Sequence, residues 1–162
     1  MLRHRRNEAD FIYGTALHCI DAMRSIAGDV RELDARIRRV EGTAWYAASL
    51  EFACGAIGAF DILPSCGRVE ERYEIGGPNY FAVAIAGYSG APEIAIHEQG
   101  KPVRAGRLLE DAPLCERNGA YGELVEFVES IRQARAPIPA PGDTLQSVEL
   151  CHRMLEQARR TA

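Results

Sequence analysis

The sequence predicts an α+β fold: an open, mainly antiparallel β-sheet of about six strands, with helices packed on one face. Three observations carry this. Helical periodicity is confined to the two ends of the chain, and period-two alternation fills the middle. The turns between alternating segments are too short for parallel crossovers, so neighbouring strands must pair antiparallel. With 162 residues, 47% of them hydrophobic and 26% charged, the chain suits one globular domain, 1–162.

The opening helix is expected from Gly14 to Ile26, with Leu17, Ile20 and Met23 on its stripe and Gly28 as its stop. The period then falls to two. Leu33, Ala35 and Ile37 alternate with Asp34, Arg36 and Arg38, a strand with one wet face. A turn at Glu41-Gly42 leads to a strand over Ala44 to Phe52, and Cys54-Gly55 turns into another over Ile57 to Leu63. Val69, Glu71, Tyr73 and Ile75 mark the next strand, which Gly76-Gly77-Pro78-Asn79 joins to Tyr80–Ala86. Shorter strands are expected at Glu93–His97 and Val103–Leu108.

Two helices close the chain. Tyr121, Leu124, Phe127, Val128 and Ile131 form the stripe of the first. A stiff connector follows, Arg135 to Gly142, with prolines at 137, 139 and 141. Asp143 is expected as the N-cap of the last helix, with Gln146 in capping-box position. Leu145, Val148, His152 and Leu155 carry its stripe, so His152 is expected to be partly buried and satisfied.

Composition excludes several classes. A net charge of −4 argues against a nucleic-acid surface, and the basic start Met1–Arg6 is short. No apolar run approaches membrane-spanning length. Cysteines at 19, 54, 66, 115 and 151 are odd in number and lack C-x-x-C spacing, a pattern of reduced, mostly buried thiols in a cytoplasmic protein. All but one of the 19 basic residues are arginine, so Lys101 is the single lysine open to a catalytic role. No G-x-G-x-x-G, G-x-x-x-x-G-K-[ST] or Cys/His metal spacing occurs.

The candidate chemistry lies in Phe11–Gly28. His18 and Asp21 stand three apart on one helix face. A side chain with an ordinary pKa near 6.5 suits proton transfer at neutral pH. Asp21 would contact a substrate hydroxyl, hold His18 in one tautomer, or pair with Arg24. His4 and His97 read as tail and strand-end residues. Trp45, Tyr46 and Tyr80 would stack on a sugar ring or, on an open sheet, line a subunit interface. Helices cover one face of such a sheet, so its other face is expected to close a two-fold homo-oligomer.

These motifs, in order, resemble the C-terminal domain of the Gfo/Idh/MocA family of NAD(P)-dependent oxidoreductases. They are the helix His18-Cys-Ile-Asp21 ending at Gly28, the strands Gly55-Ala-Ile-Gly58-Ala-Phe60 and Tyr73-Glu-Ile-Gly76-Gly77, and the closing Glu123–Phe127 helix, Pro137–Pro139 connector and Leu145-Gln-Ser147 helix. The resemblance implies a substrate-binding and assembly half, with NAD or NADP held by a Rossmann domain outside this chain. It implies a sugar, polyol or related alcohol or ketone as small-molecule substrate, and no activity from the chain alone.

His18 matches the family's histidine. Four positions earlier, where the family carries Asp, stands Gly14, which can neither orient an imidazole nor relay a proton. Tyr13 is the nearest candidate to stand in as a hydroxyl donor or pocket wall, and Glu8 and Asp10 lie close by in sequence. The family's lysine has no counterpart. A free-standing, non-catalytic dimeric module, binding a small molecule or a partner protein, is the alternative that Gly14 favours.

Overall fold

The first helix does not begin as an ordinary α-helix. Ile12–Ala16 forms a π-helical turn in which the Leu17 N–H reaches back to the Ile12 carbonyl, and it runs directly into α1, Leu17–Ala27. The structure, a computed structural model, describes residues 11–40, 42–64, 66–67, 70–86 and 91–161. Glu8, Asp10, His4 and Val69 therefore lie outside the described residues.

The chain divides into two compact units, Met1–Cys66 with Pro139–Ala162, and Gly67–Ile138. The fold class is α+β, and every strand pairing is antiparallel. Seven strands are present among the described residues, a three-stranded and a four-stranded sheet.

In the first unit, β1 (Val30–Val40), β2 (Thr43–Phe52) and β3 (Ile57–Ile62) form a meander in the order β1-β2-β3. The alternation decides which face is buried. Ala44, Tyr46, Ala48, Leu50 and Phe52 point inward from β2, and Trp45, Ala47, Ser49 and Glu51 point out. α1 and the last helix, Leu145–Thr161, cover the inner face: Ile20, Leu150, Cys151 and Met154 pack with Leu33, Ala35, Tyr46 and Leu50. Full burial of a residue such as Ile20 or Leu150 is worth about 1.5–3 kcal/mol.

Tyr46 corrects one expectation. It is 2% exposed and stacks on Phe11 with ring centroids 4.9 Å apart, so of the pair only Trp45, 37% exposed, lies on the open face. Gly58 explains a glycine of the middle strands. A Cβ there would lie 2.5 Å from Met23 Cε and 3.1 Å from Phe52 Cε2, so the Met23 methyl would have to turn away and the Phe52 ring to give slightly.

The second unit contains β4 (Glu71–Gly77), β5 (Tyr80–Ala86), β6 (Glu93–Glu98) and β7 (Lys101–Arg107), again a meander. Two helices follow, α2 (Leu114–Arg117) and α3 (Ala120–Arg132). The apolar stripe of α3 is real, but it is not covered: Tyr121, Leu124, Phe127 and Ile131 are all exposed, Ile131 by 64%. Glu126 ties α3 to the connector by accepting from Arg135 Nη2 at 2.9 Å and from the Ile138 N–H at 2.8 Å. The Arg135 hydrogen bond and then the Ile138 N–H hold the Glu126 carboxyl down at about 2.

The last helix, named α4 (Leu145–Thr161), begins differently from the expectation. Asp143 sits inside a 3-10 turn, Pro141–Thr144, and its carboxylate accepts from the Ala140 N–H at 2.8 Å. Gln146 is not part of a capping box. Its amide reads the edge of β1 instead, accepting from the Val30 N–H at 3.0 Å and donating to the Val30 carbonyl at 3.1 Å. Gln157, three turns on, repeats the device: it accepts from the Ala35 N–H at 2.7 Å and donates to the Leu33 carbonyl at 3.0 Å. Two glutamines thus stand in for a missing neighbouring strand. The cysteine expectation is also corrected: only Cys151 is buried, while Cys54, Cys66 and Cys115 are exposed thiols.

Candidate functional site

Tyr13, His18 and Asp21 lie on the π turn and α1, and Tyr13 and Asp21 reach α4. His18 is exposed and makes no hydrogen bond or ion pair among the described residues, so its imidazole is available to a ligand. Asp21 is engaged elsewhere. Its Oδ1 accepts from Ser147 Oγ at 2.7 Å and stands 3.9 Å from Arg24 Nη1. Of the readings open to Asp21, the contacts it makes are those of a support paired with Arg24.

Arg24 is the centre of this junction, with a side chain only 12% exposed. Nε donates to Gln146 Oε1 at 2.8 Å, Nη1 to the Asp143 carbonyl at 2.6 Å and to Ser147 Oγ at 2.9 Å, and Nη2 to Asp29 Oδ1 at 2.9 Å. Ser147 is fully buried and passes its own proton donor on to Asp21. One guanidinium therefore fixes the end of α1 against the start of α4, the planar multi-donor task for which arginine is suited and lysine is not.

Tyr13 lies in the π turn, and such turns are frequent at functional sites. In an α-helix, five residues separate two side chains by about 140°; a π turn brings i and i+5 closer in register, so Tyr13 and His18 share one end of the helix. Tyr13 Oη lies 3.3 Å from His152 Nδ1, and His152 Nε2 lies 3.5 Å from Glu156 Oε1. His152 was expected to be partly buried on the α4 stripe, but its side chain is 64% exposed and turns to Tyr13. The helix is wide enough in stripe for Leu150, Cys151 and Met154 to supply the core without it. Burial pushes the Cys151 thiol up to about 11, with Cys19 adding to the effect, so it packs as an apolar group rather than as a nucleophile.

Sequence reasoning gave Gln146 a capping role in place of its pairing with Val30, and missed Arg24 as an organiser, Ser147 and Gln157. The signal was present: Gln146, Leu150, Met154 and Gln157 share one helical stripe, and polar residues at core periodicity need partners. Among the described residues every strand pairing is antiparallel. No helix among the described residues is long and apolar enough to cross a membrane.

No family model and no curated protein matches the chain. Solved structures do. One is a dehydrogenase from Chromobacterium violaceum, with TM-score 0.68 and 19% identity, covering 99% of this chain and 49% of that one. A second is UDP-N-acetylglucosamine 3-dehydrogenase from Acidithiobacillus ferrooxidans, with TM-score 0.76 and 13% identity, over 94% and 48%. A third is levoglucosan dehydrogenase, in a complex with NADH and L-sorbose, with TM-score 0.62 and 16% identity, over 92% and 48%. The chain spans about half the length of the structures it matches. At these identities the likeness establishes a shared fold, that of one half of a dehydrogenase chain.

Proposed function

We propose that this chain is the substrate-binding and assembly half of an NAD(P)-dependent oxidoreductase of the Gfo/Idh/MocA type, acting on a sugar, polyol or related alcohol or ketone in the cytoplasm. The observation that carries the reading is the alignment of nearly the whole chain with one half of three dehydrogenases. The uncovered stripe of α3 supports it, since an apolar surface of this kind marks a place where another body packs.

The nicotinamide, held outside this chain, would supply the hydride chemistry. His18 is the proton-handling residue, exposed and unbonded at the helix face where substrate would arrive. Asp21 supports that face through Ser147 and Arg24, and Tyr13 supplies a hydroxyl where the family carboxylate is replaced by Gly14. The open face of the three-stranded sheet, with Trp45, Ala47 and Ala59, is the surface for a two-fold dimer. A concentration-independent monomer mass in light scattering would contradict that assembly.

The functional test is His18→Ala in the full enzyme. Loss of a general acid–base group should lower kcat by about 10²- to 10⁴-fold. An unchanged rate, with the isolated chain keeping its biological effect, would instead support the free-standing binding module that Gly14 favours.

A further inference from the structure

We infer that Tyr13, His152 and Glu156 form a relay of polar contacts that binds and orients a substrate hydroxyl at the Tyr13 phenol, with the other two as positioning residues and the proton left to His18. The inference rests on the reading of this chain as a sugar- or polyol-binding half. Its geometric basis is independent: a phenol, an imidazole and a carboxylate from two helices lie in sequence, 3.3 Å and 3.5 Å apart. Apo contacts of this length tighten when a ligand closes the site.

The relay uses the neutral tautomer that carries its proton on Nε2. With its proton on Nε2, His152 presents that N–H to Glu156 and leaves Nδ1 to accept from the Tyr13 hydroxyl. The Tyr13 oxygen is then left with its lone pairs to accept from a sugar hydroxyl, while its own proton is shared with Nδ1 and no covalent bond breaks in the relay.

The surroundings single out these partners. On α4 the other charged neighbours are Glu149 and Arg153, and neither has a hydrogen bond to His152. From α1 and the π turn, Tyr13 is the group bonded to it. On β1, Asp34, Arg36 and Arg38 lie on the face of the sheet away from α4, whereas Arg39, paired with Ala44, shares the inner face with Leu33, Ala35 and Ile37. The π turn is the feature that makes the relay possible, because its wide register carries Tyr13 to α4 while Ile12 stays buried. The Ile12 carbonyl is held there by the Leu17 N–H and by Cys151 Sγ at 3.8 Å.

The test is an NMR measurement on the intact chain, reading the His152 ring and the Tyr13 ring. At one fixed pH, Tyr13→Phe should move the His152 ring resonances, and Glu156→Gln should move those of both the His152 and the Tyr13 rings; no movement in either variant overturns the relay. Sorbitol is then added to the parent chain. Tyr13 and His152 resonances moving together support the proposal. If His18 responds while Tyr13 and His152 stay still, the relay is overturned and the proposed function stands. If no resonance of the π turn, α1 or α4 responds, the proposed function falls and the relay with it.

Discussion

Arg24→Ala will lower the unfolding free energy by about 3 kcal/mol, the largest single-residue effect outside the apolar core. Four hydrogen bonds to three parts of the chain are lost together. They do not add, and the bond to Asp29 is discounted because that carboxylate is 71% exposed and screened by water. The weight lies with Gln146, the Asp143 carbonyl and Ser147. Ser147 is wholly buried, and without Arg24 its hydroxyl keeps only Asp21 as partner. Arg24→Lys keeps the charge but loses the fork, so it should lie between the two. Arg132→Ala is the control: its pair with Glu129 is at the surface, and it should change stability by less than about 0.5 kcal/mol. Urea unfolding with an unchanged m-value reads all three. An Arg24→Ala midpoint equal to that of Arg132→Ala would contradict this account of the junction.

Gln157→Ala should cost about 2 kcal/mol and change how the chain associates. It leaves the Ala35 N–H and Leu33 carbonyl of β1 without their partner, on a stretch where both side chains are buried. β1 is the outer strand of its sheet, and an uncovered outer strand is a template for pairing with another chain. Gln157→Glu separates the two functions of the amide. A carboxylate still accepts from Ala35 but meets the Leu33 carbonyl with a second acceptor, so stability should fall nearly as far. Light scattering reads the consequence: a dimer for the parent chain, and larger species for Gln157→Ala. Equal stability and equal mass for both variants would show that the amide is dispensable.

The parts of this fold that were legible in the sequence are those set by alternation. Ala44 to Phe52 reads as a strand and its burial alternates residue by residue, because a strand with one buried face must alternate, but adjacent apolar Trp45 and Tyr46 left the inward one of the pair unread. The helix stop at Gly28 was equally plain, and its φ of 84° shows why glycine stands there. What could not be read were features set by partners distant in sequence. Nothing in Ile12–Ala16 announces a π turn, since its register is fixed by α4 packing against it more than a hundred residues away. The capping-box spacing of Asp143 and Gln146 was real as a pattern. The backbone of Val30 offered Gln146 a better pair of bonds than its own helix did.

The candidate site divides in the same way. His18 and Asp21 share a face as helical spacing requires, and that much is local geometry. Their separate fates are not local: Asp21 is drawn to Ser147 and Arg24, and His18 is left open to solvent. The α3 stripe has the periodicity of a buried helix and is exposed, so periodicity alone did not tell which face is covered.

The central claim, that this chain is one half of a larger oxidoreductase, is tested most directly by the intact mass of the native protein in its source cells, captured with an antibody to this chain. The account predicts a product longer by roughly 100–150 residues, the usual size of one further domain. A product with the mass of this chain alone would contradict it.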